Sequence, residues 1–260
     1  FENDDIVHVS GKVSPIDDIE IINTELILSD LSIVEKLYQK AQKNTKSGQK
    51  EGMPMKELVE KILTALKEGT SLRKLTFGKE ELVLLKNFQL LTLKPVLYVA
   101  NVNESGFENN PHLDLILDYA TQDHSKVVPI CAEIEAEICE LSNDEKKEFL
   151  LEMGQNESGL DRLIKAGYDL LGLHTYFTAG EKEVKAWTIT VGDSAPVAAG
   201  KIHTDFEKGF IRAETISFQD YITYKGEKGA KDAGKLRTEG KDYVVKAVSY
   251  THLRAHETLL

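Results

Sequence analysis

The sequence predicts an α/β fold of the nucleotide-binding kind, with an α-helical hairpin before its strand pair and a small α+β module after it. Three observations carry this expectation. The apolar run Pro95-Val-Leu-Tyr-Val-Ala100 stops at Asn101-Val-Asn-Glu104, and one helix later Val127-Val-Pro-Ile130 stops at Cys131-Ala-Glu133. Two such strands joined by a helix form a parallel pair, and ligands of open α/β sheets bind outside the carboxyl ends of the strands. Two long amphipathic helices precede this pair, and from about Gly172 the pattern changes to short strands.

Ser14-Pro15-Ile16-Asp17 opens the first helix, with Ser as N-cap, Pro at the first helical position and an acid at the third. Ile19, Ile22, Leu26, Ile33 and Leu37 predict its buried stripe, widened by Leu28 and Leu31, to an end near Gln42. A polar connection, Lys43–Gly52, leads to a second helix with Met55, Leu58, Val59, Ile62, Leu63 and Leu66 on one face, stopping at Gly69. The pair reads as an αα-hairpin whose stripe is its own seam, with partner docking as a lesser use. Further helices are expected at Lys79–Phe88, 111–121 and Leu160–Leu171, and the capping box Ser142-Asn-Asp-Glu145 starts another. Strands are expected at 95–100, 127–131, His174–Thr178, Val184–Val191 and Phe210–Ser217. A short helix, Ala195–Ile202, is capped by Asp193-Ser-Ala-Pro196. This β-β-α-β order suggests a grasp-like sheet over a helix, with the domain boundary within 151–172.

The net charge of −11 is unevenly spread. Residues 1–171 carry 19 Lys/Arg against 31 Asp/Glu, and residues 172–246 carry 12 against 11. Lys225, Lys228, Lys231, Lys235, Arg237 and Lys241 concentrate the basic bias and are candidate contacts to a polyanion; a solvated lysine-rich loop explains the charge equally well. No run reaches the ~18 apolar residues of a membrane span. The start, Phe1-Glu-Asn-Asp-Asp5, lacks a charged-then-apolar leader and an initial Met, so a cytoplasmic chain cut from something longer is expected. Cys131 and Cys139 have no metal-ligand spacing and are expected to be free thiols.

Gly229-Ala-Lys-Asp-Ala-Gly234-Lys235-Leu236 nearly matches a phosphate-binding loop, but Leu236 stands where a Mg²⁺-binding hydroxyl is required and no strand feeds it. It reads as a lysine-rich helical surface turn. His8, His174 and His203 have no relay partner at a recognisable spacing, so no catalytic residue and no metal cluster is assigned. Asn101 and Glu104 survive this pruning: an amide and a carboxylate three apart at a strand end can meet the hydrogen-bonding rim of a purine.

Asp4-Ile-Val-His-Val-Ser-Gly-Lys-Val13, Val99-Ala-Asn-Val-Asn-Glu104, His203–Glu214, Gly226–Gly240 and Lys241-Asp-Tyr243 together resemble the Obg-like ATPases, the YchF family of TRAFAC-class P-loop NTPases. The likeness runs from Phe1 to about Lys246. It implies a partial Obg-type G domain over 1–150, with the helical hairpin inserted at about 17–88, then a connecting helix at 151–171 and a TGS domain of β-grasp type at 172–246. It also implies that Asn101 and the Val102 backbone contact the base, that Glu104 stands where guanine-selective relatives carry Asp, and that Cys131, Ala132 and Glu133 form the second base-contacting loop. A Glu there cannot hold the guanine N1–H and N2 amine as Asp does, so the resemblance implies ATP over GTP, with both tolerated.

By the same resemblance the intact protein binds ATP or GTP with Mg²⁺, hydrolyses it, associates with the ribosome or ribosomal RNA and regulates translation or stress responses. No DNA specificity and no membrane partner are implied, and a monomer is expected. The family's phosphate loop and Mg²⁺ ligands are not in the sequence, so this chain alone is expected to be inactive. Residues 247–260 depart from the family's final apolar strand and read as a frameshift, vector or assembly read-through, expected to pack poorly and leave a sheet edge uncovered. Two further readings stand beside the ATPase: a non-catalytic ribosome- or RNA-binding module, and a structural adaptor using the 17–68 hairpin.

Overall fold

The computed structural model describes residues 13–46, 53–179, 183–246 and 249–255. His8, the acidic start, most of the Asp4–Val13 stretch, the far half of the Lys43–Gly52 connection and residues 256–260 lie outside the described residues. The chain divides into two compact units, Phe1–Ala166 and Gly167–Leu260.

In the first unit, α1 (Pro15–Lys46) and α2 (Met53–Lys67) form the hairpin. Gly69 ends α2 with φ +75, a left-handed conformation that glycine adopts without a Cβ clash. The α2 face buries Leu58, Val59, Ile62, Leu63 and Leu66 as expected, packed on Ile27 and Val34 of α1, with Leu72, Leu85 and Leu90 closing the core. On α1 the expected stripe needs correction. Ile22 is 60% exposed, Leu28 52% and Ile33 38%. The buried line instead runs through Ile27, Asp30, Val34 and Ala41, with the half-buried Asn23 one turn before it, spaced three or four apart except at its end. Two polar residues sit on the seam, and hydropathy alone rotated the predicted face away from them.

Both polar residues are satisfied from outside the hairpin. Asp30, fully buried, accepts from the N–H groups of Leu91 and Thr92 at 2.9 and 2.7 Å and from the Thr92 hydroxyl at 2.7 Å. Asn23 Oδ1 accepts from Arg73 Nη2 at 2.9 Å, and Arg73 Nε donates to Asp123 at 3.1 Å. The Asp123 carboxylate, fully shielded, also pairs with Lys74 at 3.3 Å and accepts from Tyr98 Oη at 3.1 Å and Ser125 Oγ at 3.0 Å. Burial pushes Asp123 up, but the Arg73 charge and the hydrogen bonds from Arg73, Ser125 and Tyr98 outweigh it and hold the carboxyl below its usual range. Burial, aided by the Asp123 charge, pushes the Tyr98 hydroxyl up to about 12.

This network anchors the parallel pair β1 (Leu97–Asn101) and β2 (Lys126–Ile130), linked through α4 (Pro111–Gln122). α3 (Lys79–Lys86) precedes the pair; α5 (Ala132–Glu140), α6 (Asn143–Glu152) and α7 (Gly159–Leu170) follow it. The Ser142 N–H donates to Glu145 at 2.9 Å, in the expected capping box. The sequence reading missed α5, whose alternation of Glu with Ile and Ala hid the helical stripe of Ile134 and Ile138.

In the second unit, β3 (Leu173–Ala179) and β4 (Val184–Thr190) form an antiparallel hairpin. α8 (Ala195–Ile202) and α9 (Thr204–Lys208) lead to β5 (Phe210–Ser217), and α10 (Phe218–Thr223) and α11 (Glu227–Asp232) to β6 (Arg237–Glu239). β7 (Ser249–Ala255) completes a mixed sheet ordered β4-β3-β7-β5-β6. α8 packs on it through Ala195, Ala198 and Ala199 against Tyr176, Phe210 and Ala213, and the buried Tyr176 hydroxyl donates to the Ala198 carbonyl at 2.9 Å. The expectation for the tail is overturned here: residues 249–255 are the middle strand, parallel to β3 and antiparallel to β5. Backbone ladders set this pairing, whatever the side chains that the strand carries.

Replacing Arg73 by Met should cost about 3 kcal/mol or more in urea denaturation followed by helical circular dichroism, because it strands a buried carboxylate. Asp123, with its folded pKa depressed below 3.8, stabilises the first unit above that pH, and the contribution disappears as pH falls through the folded value. A stability profile flat from pH 6 to below pH 3 would contradict this, as would a neutral Arg73→Met.

Candidate functional site

The ends of β1 and β2 are tied together by one side chain. The strand register closes at Asn101 opposite Ile130, and the Val102 N–H donates to the Ile130 carbonyl at 2.8 Å. One step on, the Ala132 N–H donates to Asn101 Oδ1 at 3.1 Å. A backbone N–H can only donate, so this contact fixes the amide orientation. The Asn101 Nδ2 group therefore faces the other way, with two hydrogens and no partner among the described residues.

Beyond Asn101 the chain turns at once. The Gly106 N–H donates to the Asn103 carbonyl at 2.9 Å, closing a four-residue turn with Glu104 at its second position. Glu104 is exposed and forms no hydrogen bond or ion pair with another described residue. Asn110 holds the far side of the loop: its Oδ1 caps α4 by accepting from the N–H groups of His112 and Leu113, and its Nδ2 donates to the Gly106 carbonyl at 3.0 Å.

Across from this loop, α5 starts with Cys131 as an N-cap whose thiol makes no capping bond. That thiol is buried with Ile134, Ile138 and Leu150. The N–H groups of Glu133 and Ile134 have no partner within the helix and lie at its positive end. Ala132 and Glu133 are exposed. The structure thus brings Asn101, Ala132 and Glu133 to one edge, with Glu104 on the adjoining turn, while Val102 and Cys131 are buried beneath it and shape it. The edge can accept from a ligand at Glu104 and donate to one at Asn101 and the start of α5. Among the described residues no cluster of three or more His, Cys, Asp or Glu could hold a metal.

Glu135, one turn into α5, accepts from the N–H groups of Gly159 and Leu160 at 2.6 and 3.1 Å and so caps α7. A Cβ on Gly159 would stand 2.8 Å from Glu135 Oε1 and 3.0 Å from Ile130 Cγ2. Sequence reading missed Asn110, Glu135 and Gly159. Asn110 was legible as an N-cap followed by Pro111, whereas the other two depend on a helix–helix contact that no local pattern announces.

Lys225, Lys228, Lys231, Lys235, Arg237 and Lys241 are all exposed, on α11, β6 and their flanks. Arg237 lies 3.7 Å from Glu239, which tempers its charge. The near-match to a phosphate loop is not one. Tyr224 O would lie 1.9 Å from a Cβ on Gly229, so that glycine serves a tight backbone contact between α10 and α11. His203 Nδ1 accepts from the Asp205 N–H at the start of α9, a structural use.

Over 246 residues the chain is 58% identical to the ribosome-binding ATPase YchF of Escherichia coli O157:H7, a match covering 95% of this chain and 68% of that protein. The chain belongs to the YchF family. Curated YchF proteins of Haemophilus influenzae and Bacillus subtilis, carrying the same description, are 56% and 49% identical, and each match covers 98% of this chain and 70% of the relative. The Schizosaccharomyces pombe YchF GTPase has the same fold, with a TM-score of 0.83 and 33% identity over 97% of this chain and 69% of that one. Residues 173–255 match the profile of the YchF GTPase C-terminal family, described as a protein of unknown function (DUF933). That span includes β7. YchF is a nucleotide-hydrolysing family, and no described helix here is long and apolar enough to cross a membrane.

Gly159→Ala should destabilise the chain by about 1–3 kcal/mol, because its methyl group meets Glu135 and Ile130. Gly167→Ala, in the same helix with open space around it, should instead stabilise by about 0.5–1 kcal/mol. Paired denaturation curves test both, and equal shifts in the two variants would remove the close contact from the account.

Proposed function

We propose that this chain carries the base-reading edge and the ribosome-binding surface of a YchF-type ATPase that binds ATP in preference to GTP, tolerates both, and acts in the cytoplasm as a monomer on translation or the stress response. The observation that carries the base-reading part is the orientation of Asn101. With Oδ1 turned to the Ala132 N–H, the donor group Nδ2 is turned the other way, and it suits an acceptor such as purine N7. Glu104 supplies an acceptor on the adjoining turn, and Glu133 borders the edge. Val102, Ala132 and Cys131 give it shape: the first two have their N–H groups engaged and the third has its thiol buried.

A longer carboxylate at Glu104 reaches past the position from which Asp would take the guanine N1–H and N2 amine together. It can still accept from the adenine N6 amine. The base end of a nucleotide therefore fits residues of this chain. Its phosphates and Mg²⁺ have no matching loop in the 260 residues, so ATP turnover by this chain alone is not expected. When bound, Mg²⁺ would neutralise phosphate charge; the residues here would orient the base.

A second reading, supported by a separate observation, is ribosome or ribosomal RNA binding without catalysis. The six exposed basic residues from Lys225 to Lys241 sit in a unit of nearly neutral balance, attached to a strongly acidic one. On this reading the mixed sheet packed on α8 is a TGS-type module, and phosphate contacts come from this basic run. The two readings are compatible.

Joining the chain to the N-terminal segment of the Escherichia coli relative should give an ATPase whose ATP/GTP preference shifts toward GTP on Glu104→Asp. An unchanged preference would remove Glu104 from base reading. Ribosome co-sedimentation of the chain should weaken steeply with salt. Changing Lys228, Lys231 and Lys235 together to Ala should lower the slope of log affinity against log salt by about 2–3. Salt-independent binding would exclude the basic run as the contact.

A further inference from the structure

Glu104 can read a base only if the turn that carries it is held still, yet its own side chain has no protein partner among the described residues. The restraint comes from six residues along the chain. Asn110 uses the two ends of its amide for different tasks. Its oxygen accepts from the N–H groups of His112 and Leu113 and so caps α4, while its nitrogen donates to the Gly106 carbonyl at 3.0 Å. Gly106 is also the residue whose N–H closes the Asn103–Gly106 turn. The turn is tight: a Cβ on Gly106 would lie 2.5 Å from Asn103 Oδ1 and 3.1 Å from Val102 Cβ. One amide thus fastens the Glu104 turn to the start of a helix that is itself packed on the strand pair.

We infer that Asn110 is a positioning residue for nucleotide selectivity: its Nδ2 bond to Gly106 sets where the Glu104 carboxylate meets the base. This inference rests on the base-reading function proposed above. It separates from helix capping because the two ends of the amide can be changed independently. Asp and Ser both cap helices well through oxygen, and neither supplies the Nδ2 donor. Capping should survive Asn110→Asp and Asn110→Ser while the fastening is lost. Gly106→Ala attacks the same turn from the other side and leaves the α4 cap intact.

The test is an NMR titration of the chain as it stands with AMP, GMP and IMP, giving a dissociation constant for each. Glu104→Gln serves as the control for base reading, and thermal melting monitors the fold. In the unaltered chain the three constants should differ. In Asn110→Asp, Asn110→Ser and Gly106→Ala the AMP/GMP ratio should move toward one by up to about tenfold, the scale of one charge-assisted hydrogen bond, with melting largely retained in the two Asn110 variants and lowered in Gly106→Ala, whose methyl group meets Asn103 and Val102. If Glu104→Gln changes the ratio and the three variants do not, the positioning role is overturned and base reading stands. If Glu104→Gln is also silent, base reading fails and the positioning role falls with it. If Asn110→Asp and Asn110→Ser fail to fold, Gly106→Ala decides between the same two outcomes.

Discussion

One side-chain hydrogen bond, from the Ala132 N–H to Asn101 Oδ1, extends the joining of two parallel strand ends one step past their last backbone bond, from the Val102 N–H to the Ile130 carbonyl. Parallel strands leave their terminal backbone groups unpaired at the point where helices take over. Here one side chain bridges that gap, aligns the start of α5 with the end of β1, and points its own donor group outward. The Glu104 turn and the first turn of α5 are organised around this contact. Its geometry divides the edge: backbone and buried side chains set its shape, and Asn101, Glu104 and Glu133 are its exposed polar side chains.

The platform beneath this edge is held by polar contacts as much as by its apolar core. Asp123 collects Arg73, Lys74, Tyr98 and Ser125, and Arg73 reaches on to Asn23 of the hairpin. Asp30 performs a similar task for the segment entering β1. Apolar packing alone would let α1 slide along its seam, since leucine and isoleucine faces tolerate several registers. Buried carboxylates with fixed partners do not, because each displaced bond leaves a charge unsatisfied in a poorly solvated place. The same bonds connect the hairpin mechanically to the strand that ends at Asn101.

Much of this was legible in the sequence, and the exceptions share a cause. The two strands, their polar ends, the capped helices and the β3-β4-α8-β5 order follow from local periodicity and cap chemistry. The α1 stripe was misread in part, at Ile22, Leu28 and Ile33, because the half-buried Asn23 and the buried Asp30 occupy positions that hydropathy assigns to solvent, while Leu31 and Leu37 pack on the core as expected. α5 was missed because its glutamates mask a short apolar stripe. β7 was misread because its sequence carries no clear apolar alternation, although backbone ladders to β3 and β5 accept it. Asn101 and Glu104 were visible as strand-end residues. The uses of Asn110, Glu135 and Gly159 are tertiary, and Cys131 was read as part of a contact loop whereas its thiol lies in the core.

The claim that the strand edge reads a base through the free end of Asn101 is tested most directly by following the Asn101 side-chain NH₂ resonances during titration of the chain with AMP. The account predicts that both Nδ2 protons shift with saturation while the Ala132 amide, already bonded to Oδ1, moves little. Shifts confined to other regions, with the Asn101 NH₂ pair unmoved at saturation, would contradict it.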